Sequence, residues 1–263
     1  MAAPAIYTAP AKINIFLKIT GFEAGYHQIA SRFMLQPQLH DRLWLERGDG
    51  KALSVVGDFD CPPEENTIVK AFRALLESYP DKELAQFGRL HKVVVYKNIP
   101  AFAGLGGGSS NAATFLDMVN QTLGMGLSKE ALMAVGAKVG SDVPFFLSGH
   151  TSANVTGRGE VIEGFDEEPL FMEFYHPDIR CGTGTVYHTF RRFFARSMEG
   201  NRALAETLLK MPSREILAQY DEERLNDLLP AALKAYPELF GVVKQGWFMT
   251  GSGSTFFTPK KEK

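Results

Sequence analysis

The glycine-rich segment from Pro100 to Asn111 constrains this chain more than any other stretch. It carries four glycines and two serines and runs directly into the apolar pattern of a helix. Where side chains are missing, backbone N–H groups can approach an anion closely, and the first turn of a helix adds unpaired N–H groups with partial positive charge. The segment is therefore predicted to hold a phosphate group. A flexible loop that ends in a serine N-cap is the alternative that its residues leave open.

The elements around this segment favour the phosphate site. An apolar strand is predicted over residues 92–96, and the helix that follows the segment has one apolar face, formed by Ala112, Phe115, Leu116, Val119 and Leu123. A strand, a phosphate loop and a helix in this order commonly hold nucleotide phosphates. The segment does not contain the pattern Gly-x-x-x-x-Gly-Lys-Ser/Thr. It does not match Gly-x-Gly-x-x-Gly either, since position 109 is serine.

Composition narrows the class of protein. A length of 263 residues allows a sizeable core, and we favour two domains over one. With 45% hydrophobic residues, 22% charged residues and a net charge of -2, the chain gives no reason to expect nucleic acid, so a small-molecule partner is predicted. The separated Cys61 and Cys181 indicate a reducing compartment. No signal leader and no membrane-length apolar run are visible, which predicts a cytoplasmic protein without a membrane partner.

The N-terminal segment over residues 11–20 alternates apolar and other residues at period two, as a half-buried strand does. The alternation places Lys12 and Asn14 on one face, together with Phe16 and Lys18. Two polar heads on one face can serve a ligand, although a solvated face is the interpretation that the pattern alone favours.

Two aromatic or titratable groups follow in a turn-rich segment. Tyr26 and His27 can stack on a planar ring and hydrogen-bond its edge, although such a pair is also common in an ordinary half-buried loop. Strand-like pieces over residues 42–46 and 53–56, separated by a Gly-Asp-Gly turn signal, predict a meander.

Two predicted helices precede Asp142, a further carboxylate that can serve a ligand. Asn66 and Ser128 are predicted N-caps of two helices. Asp142 lies between the end of the second helix and an apolar, strand-like run at residues 145–147. Its carboxylate can reach a cleft, or it can stabilise an Asx turn beside Pro144.

The C-terminal part is predicted to contain three strands, then several helices, and then a hairpin. Strands are predicted over residues 152–156, 159–162 and 170–175, with an acidic stretch at 166–169 that is a connection between domains or a solvated loop. A helix is predicted over 185–198, two or three more between 201 and 244, and a hairpin around the turn Gly251-Ser-Gly-Ser254.

Four motifs together resemble those of the GHMP kinases. They are Pro-Ala-Lys-Ile-Asn-Ile-Phe-Leu at residues 10–17 with Gly25-Tyr-His27, the glycine-rich segment, Gly-Ser-Asp-Val-Pro at residues 140–144, and Gly251-Ser-Gly-Ser254. The resemblance implies an α/β (α+β) fold of two domains with the active site in the cleft between them. The first domain would cover residues 1–165 with the glycine-rich ATP loop, and the second would cover 166–263 and be shortened at its end.

The resemblance also implies a reaction. It is the ATP-dependent phosphorylation, with Mg²⁺, of the 2-hydroxyl of a methylerythritol unit that carries a cytidine diphosphate group, in the non-mevalonate route to isoprenoids. Lys12 and Asp142 match the positions that serve the reacting hydroxyl. The alternatives are a GHMP kinase of the homoserine or mevalonate type and a catalytically inactive nucleotide-binding relative. The protein would be a monomer or a homodimer.

Binding residues follow from the same resemblance. The positions implied for ATP are Asn66, Lys97, Pro100, Ala101, Phe102, Ala103, Gly104, Leu105, Gly106, Gly107, Gly108, Ser109, Ser110 and Asn111. Ser109 or Ser110 would contact the metal ion. The positions implied for the acceptor are Asn14, Tyr26, His27, Tyr187, Gly251, Ser252 and Gly253.

Overall fold

The computed structural model describes residues 4–195 and 200–260 and has the expected α+β architecture. The strands are β1 (Tyr7–Glu23), β2 (Tyr26–Arg47), β3 (Ser54–Val56), β4 (His91–Tyr96), β5 (Ser152–Gly157), β6 (Val161–Gly164), β7 (Met172–Tyr175), β8 (Phe248–Met249) and β9 (Phe256–Pro259). The helices are α1 (Thr67–Ser78), α2 (Lys82–Leu90), α3 (Gly107–Leu123), α4 (Lys129–Ala137), α5 (Val143–Ser148), α6 (Thr183–Phe193), α7 (Asn201–Leu208), α8 (Ser213–Gln219), α9 (Glu222–Leu225) and α10 (Leu229–Ala235). Short 3₁₀ helices cover Pro63–Glu65 and Pro237–Gly241.

The described residues form two compact units that interleave along the chain. Unit 1 contains residues 4–11, Pro37–Ile99 and Gly106–Gly149, and unit 2 contains Lys12–Gln36, Pro100–Leu105 and the described residues from His150 onwards. The glycine-rich segment therefore contributes its first half to unit 2 and its second half to unit 1. The division into a domain before residue 165 and a domain after it stays a prediction.

The sheet of unit 1 corrects the predicted meander. The C-terminal half of β2 pairs antiparallel with β4, and β3 pairs with β4 in parallel. A parallel pair needs a crossover connection. Helices α1 and α2 supply it, because they lie between β3 and β4 in the chain.

Two helices of unit 1, α1 and α4, begin at the residues predicted to cap them. Asn66 caps α1 by accepting a hydrogen bond from Ile68 N at 2.9 Å, and Ser128 caps α4 by accepting one from Ala131 N at 3.2 Å. Residues 145–147 lie in α5, so their prediction as a strand is wrong. A short apolar run does not distinguish strand from helix by its pattern, and Pro144 is well tolerated in the first turn of a helix.

Unit 2 contains two sets of strands. The N-terminal half of β2 pairs antiparallel with β5, and β5 pairs with β6. The second set has the order β7-β9-β8, and its antiparallel β8–β9 pair confirms the predicted hairpin around residues 251–254. Helices α7 to α10 exceed the two or three predicted there. The predicted end of the preceding helix, at residues 196–198, lies outside the described residues.

Strand β1 is buried on both faces, so the favoured interpretation of a solvated polar face is wrong. Lys12, Asn14 and Lys18 are each only 3% exposed. Burial of polar heads is tolerated when hydrogen bonds replace water. Lys18 obtains such bonds from an ion pair with Asp227 and by donating to Arg224 O at 2.9 Å.

Arg32, on β2, forms a buried polar network in unit 2. Its guanidinium donates to Asn154 Oδ1 at 2.7 Å and Leu209 O at 3.0 Å, pairs with Glu167 at 3.2 Å, and stacks 3.4 Å from the ring centroid of Phe165. Glu167 belongs to the acidic stretch at 166–169, and its side chain is only 8% exposed. At this residue, the interpretation of the stretch as a solvated loop is wrong.

Candidate active site

Lys12 is held in unit 2 by groups that fix its ammonium. Its Nζ donates to Asn14 Oδ1 at 2.7 Å and to Gly104 O at 3.1 Å, and it lies 4.5 Å from the ring centroid of Phe33. The backbone joins the same segment, since Lys12 N donates to Leu105 O at 3.0 Å. The structure therefore brings Lys12, Asn14 and the first half of the glycine-rich segment together.

Gly104 has to be glycine in this arrangement. Its φ is +74°, and a Cβ there would lie 2.1 Å from Thr250 O. The side chain of Thr250 adds two bonds: Oγ1 donates to Gly104 O at 3.2 Å and accepts from Asn14 N at 2.9 Å. Gly251 also packs on Gly104, because a Cβ on Gly251 would lie 3.2 Å from Gly104 O. A close backbone approach thus places the 250–251 turn against the Lys12 cluster.

The second half of the glycine-rich segment opens helix α3 in unit 1. Gly106 precedes the helix with a φ of +71°, a left-handed conformation that glycine adopts readily. A Cβ on Gly107 would lie 2.9 Å from Ile99 Cγ2 and 3.4 Å from Lys97 Nζ, so the chain passes close to both side chains. Thr67 Oγ1 donates to Gly108 O at 2.7 Å. The loop is held from two sides while the first N–H groups of α3 remain at its end.

Ser110 and Asp142 also belong to unit 1. Ser110 is buried, and its Oγ has no hydrogen-bond partner among the residues that the structure describes. A Cβ on Gly140 would lie 3.9 Å from Ser109 Oγ, so the loop before α5 approaches the first turn of α3. Asp142 ends that loop at the N-terminus of α5, partly exposed, and its side chain makes no capping hydrogen bond. The choice between a cleft and an Asx turn for Asp142 stays a prediction.

Lys97 and Asn111 converge on a residue that the sequence analysis did not identify, Asp41. Asp41 Oδ2 forms an ion pair with Lys97 and accepts from Asn111 Nδ2 at 2.8 Å. Lys97 Nζ also donates to Asn111 Oδ1 at 3.2 Å. Asn66, by contrast, uses its side chain to cap α1, and its neighbour Thr67 is the residue that contacts the loop.

His27 lies in an aromatic cluster of unit 2. Its ring centroid is 5.0 Å from that of Phe22, 5.2 Å from that of Tyr187 and 5.9 Å from that of Phe190. Burial lowers the pKa of the His27 imidazole below its ordinary value, and the nearby charge of Arg191 lowers it further. A neutral imidazole has one donor and one acceptor nitrogen, which suits recognition of a base edge.

Tyr26, the other member of the Tyr-His pair, lies against a cation. Its side chain is 56% exposed, and the guanidinium of Arg158 lies 4.9 Å from its ring centroid. Ser252 hydrogen-bonds Thr183 at 3.0 Å, and a Cβ on Gly253 would lie 3.0 Å from Met249 Sδ. Among the residues that the structure describes, His27 therefore lies beside Tyr187, and Gly251 lies against the Lys12 cluster.

Asp41 and Thr250 hydrogen-bond to candidate site residues, Asn111 and Asn14, although the sequence analysis singled out neither. An isolated aspartate in a strand of mixed residues has the same pattern as a solvated one. Thr250 adjoins the predicted hairpin turn, and that turn was the only available signal. Across residues 4–195 and 200–260, no cluster of three or more His, Cys, Asp or Glu could hold a metal ion. In the same ranges, no helix has the length and apolar character to cross a membrane.

Comparison with known proteins gives consistent results. A family profile described as the GHMP kinases N terminal domain matches residues 66–150. A 4-diphosphocytidyl-2-C-methyl-D-erythritol kinase of Sulfurimonas denitrificans is 44% identical over 262 residues, which covers 98% of each chain. The corresponding kinase of Helicobacter pylori is 40% identical over 265 residues, 95% of this chain and 94% of that one.

Solved structures agree with these relatives. A crystal structure of 4-(cytidine 5'-diphospho)-2C-methyl-D-erythritol kinase matches with a TM-score of 0.74 and 28% identity, over 97% of this chain and 90% of the other. A homoserine kinase of Cytophaga hutchinsonii matches with a TM-score of 0.66 at 15% identity, over 98% and 85%, and shares the fold. The chain therefore belongs to the GHMP kinases, which are ATP-dependent small-molecule kinases, and among them to the 4-diphosphocytidyl-2-C-methyl-D-erythritol kinase family.

Proposed function

We propose that this enzyme transfers the γ-phosphoryl group of ATP to the 2-hydroxyl of 4-diphosphocytidyl-2-C-methyl-D-erythritol. The observation that carries the proposal is the position of Lys12 Nζ, 3.1 Å from Gly104 O in the glycine-rich segment. A buried ammonium beside a segment suited to phosphate places positive charge where a phosphoryl group would be transferred. The names of the near full-length relatives support this choice of acceptor.

Lys12 and Asp142 are proposed to serve the reacting hydroxyl. Asp142 would accept the hydroxyl proton, and Lys12 would orient the hydroxyl oxygen and offset developing negative charge. A tertiary alcohol is a weak acid, so the proton leaves late, as the oxygen bonds to phosphorus. Positioning of the two groups then matters more than the basicity of the carboxylate.

The ATP phosphates are proposed to lie against the glycine-rich segment. The first N–H groups of α3 and the close backbone approach at Gly107 and Gly108 support this assignment. Lys97 would add a positive charge, and Asn66 would act through α1, whose Thr67 contacts the loop. The remaining residues of Pro100 to Asn111 are likewise proposed to contact ATP.

Mg²⁺ fits the serines of this helix start. The buried Ser110 hydroxyl, without a partner among the described residues, is a suitable oxygen donor, and Ser109 is the alternative. Mg²⁺ is usually held by one or two protein groups together with substrate phosphates, so a carboxylate cluster is not required. The ion would neutralise charge on the phosphates of ATP.

The acceptor is proposed to bind through unit 2. Neutral His27 would hydrogen-bond the cytosine, with Tyr187 beside it and Tyr26 as a stacking surface. Asn14 and residues 251–253 would contact the part of the acceptor near the phosphoryl group, since Asn14 and Gly251 lie in the Lys12 cluster. A cytoplasmic location and a monomeric or homodimeric state stay predictions.

An ADP-release assay on three alcohols tests the proposal. We expect turnover with 4-diphosphocytidyl-2-C-methyl-D-erythritol and little with homoserine or mevalonate, because a small acceptor gains nothing from the aromatic cluster. Preference for homoserine or mevalonate would overturn the choice of acceptor. No ADP release with any of them, despite ATP binding, would point to an inactive relative.

Asp142→Asn tests the catalytic assignment. We expect turnover to fall by about a thousandfold or more, since the amide cannot accept the proton, while the Kd for ATP measured by calorimetry stays within about twofold. Asp49→Asn, at a position whose side chain is 60% exposed, is the control and should keep full turnover. An Asp142→Asn variant that keeps a normal kcat while its Kd for ATP rises would show that the residue serves the nucleotide.

A further inference from the structure

Asp41 is a fully buried carboxylate in unit 1 for which the proposed reaction has no role. Its Oδ1 accepts hydrogen bonds from Asn98 N at 2.7 Å and Ile99 N at 2.8 Å. Its Oδ2 pairs with Lys97 and accepts from Asn111 Nδ2 at 2.8 Å. Four donors compensate the burial of the charge.

These partners lie on both sides of the glycine-rich segment. Asn98 and Ile99 are the residues that lead into it, and Asn111 is its last residue. Lys97 contacts the middle of its second half, since a Cβ on Gly107 would lie 3.4 Å from Lys97 Nζ. One carboxylate therefore fixes the approach to the segment, its final residue and a cation beside it.

The donors of Lys97 show how this arrangement can serve a ligand. An ammonium has three N–H donors. Within the described residues, Lys97 Nζ gives one to Asp41 and one to Asn111, and its side chain is 15% exposed. A third donor thus points away from two fixed partners and can reach a phosphate oxygen.

We propose that Asp41 is a positioning residue for the nucleotide: it orients Lys97 and Asn111 so that the remaining Lys97 donor faces an ATP phosphate. This inference rests on the proposed ATP role of the glycine-rich segment. Asp41 itself contacts no substrate. Its effect passes through Lys97 and through the backbone at residues 98–99.

A double-mutant cycle separates positioning from simple support of the fold. We expect Asp41→Asn to raise KM for ATP by about tenfold or more, the effect of roughly one lost charge-assisted hydrogen bond, with KM for the acceptor within about twofold. Lys97→Met should raise KM for ATP similarly. The double variant should add little to either single change, because both disturb the same contact.

Asp227→Asn is the matched control, since Asp227 in unit 2 also pairs with a lysine, Lys18, and accepts from an asparagine, Asn201. It should lower stability and leave KM for ATP within about twofold. Equal rises in KM for ATP in the Asp41 and Asp227 variants would overturn the inference, because loss of stability would then explain both. Additive Asp41 and Lys97 effects would also overturn it.

The native enzyme provides a measurement that requires no variant to fold. Under limited reductive methylation, Lys97 should react more slowly than Lys92, whose side chain is 35% exposed, and ATP should slow Lys97 further. Rapid modification of Lys97, unaffected by ATP, would contradict the inference.

Failure of this inference can be told apart from failure of the proposed function. An active kinase with unchanged KM for ATP in Asp41→Asn overturns only the role of Asp41. A native enzyme that fails to phosphorylate the diphosphocytidyl acceptor, but whose calorimetric ATP affinity drops in Asp41→Asn, overturns only the choice of acceptor.

Discussion

Two aspartates with largely buried side chains, one in each unit, have nearly the same partners. Asp41 pairs with Lys97, accepts from Asn111 and accepts from backbone N–H groups. Asp227 pairs with Lys18, accepts from Asn201 at 2.6 Å and accepts from Ile19 N at 2.6 Å. In both places a carboxylate joins segments that are distant in sequence.

The two clusters differ in the exposure of the lysine and in the hydrogen bonds that its ammonium already makes. The side chain of Lys18 is 4% exposed and donates also to Arg224 O at 2.9 Å, whereas the side chain of Lys97 is 15% exposed and borders the glycine-rich segment. An aspartate, a lysine and an asparagine thus stabilise the fold in unit 2, whereas in unit 1 the same residue types hold a cation beside the glycine-rich segment. Burial and neighbouring glycines, rather than residue type, distinguish support from ligand binding.

Among the variants that test this difference, Lys18→Met should change stability most. Removing the ammonium leaves the Asp227 carboxylate buried without its ion pair, so the free energy of unfolding should fall by about 3–5 kcal/mol. Urea denaturation measures the loss, and KM for ATP should stay within about twofold. A rise in KM for ATP as large as that of Lys97→Met would break the comparison.

Asn201→Ala should have an intermediate effect. Asp227 loses one donor but keeps Lys18 and Ile19 N, so we expect a loss of about 1.5–3 kcal/mol, as for a hydrogen bond to a charged group. The matched change Asn111→Ala should cost similar stability and also raise KM for ATP. Unfolding curves and steady-state kinetics on both variants check this, and an identical kinetic profile would argue against a distinction between the clusters.

The smallest expected effect is a pH dependence confined to unit 2. His27 has a lowered pKa in the folded protein because of burial and Arg191, so its neutral form is favoured by folding. Its contribution to stability is present above the unfolded value of about 6.5 and is lost as the pH falls through the lower folded pKa.

Hydrogen exchange between pH 7.5 and 5 measures this effect. Amides of α6, next to His27, should lose protection as the pH falls, and His27→Gln should reduce that dependence. Amides of α3 in unit 1 serve as the internal reference. An equal change in α3 would show that the acid sensitivity belongs to other groups.

Local features of this fold follow from local sequence. Asn66 and Ser128 cap helices because their side chains accept from N–H groups two or three residues away, and the strand, glycine segment and helix around residue 104 are adjacent in the chain. The motifs shared with the GHMP kinases identified the family from the same local patterns.

The remaining features depend on distant residues. Parallel pairing of β3 with β4 requires the crossover through α1 and α2, and the short run at residues 145–147 becomes a helix only in its packed context. The partners of Asp41 lie 56 to 70 residues away in sequence, so no local pattern distinguishes it from a surface aspartate. The burial of both faces of β1 also depends on contacts with residues that are distant in sequence.

The guanidinium of Arg32 has a practical consequence for engineering the chain. Its partners lie up to 181 residues away in sequence and include Glu167 before α6 and Leu209 after α7. New chain ends placed between residues 167 and 209 would separate these partners, and closing the network would then cost additional entropy. Circular permutation, split reporters and inserted tags are better placed at the turn of Asp49 and Lys51, whose side chains are 60% and 86% exposed.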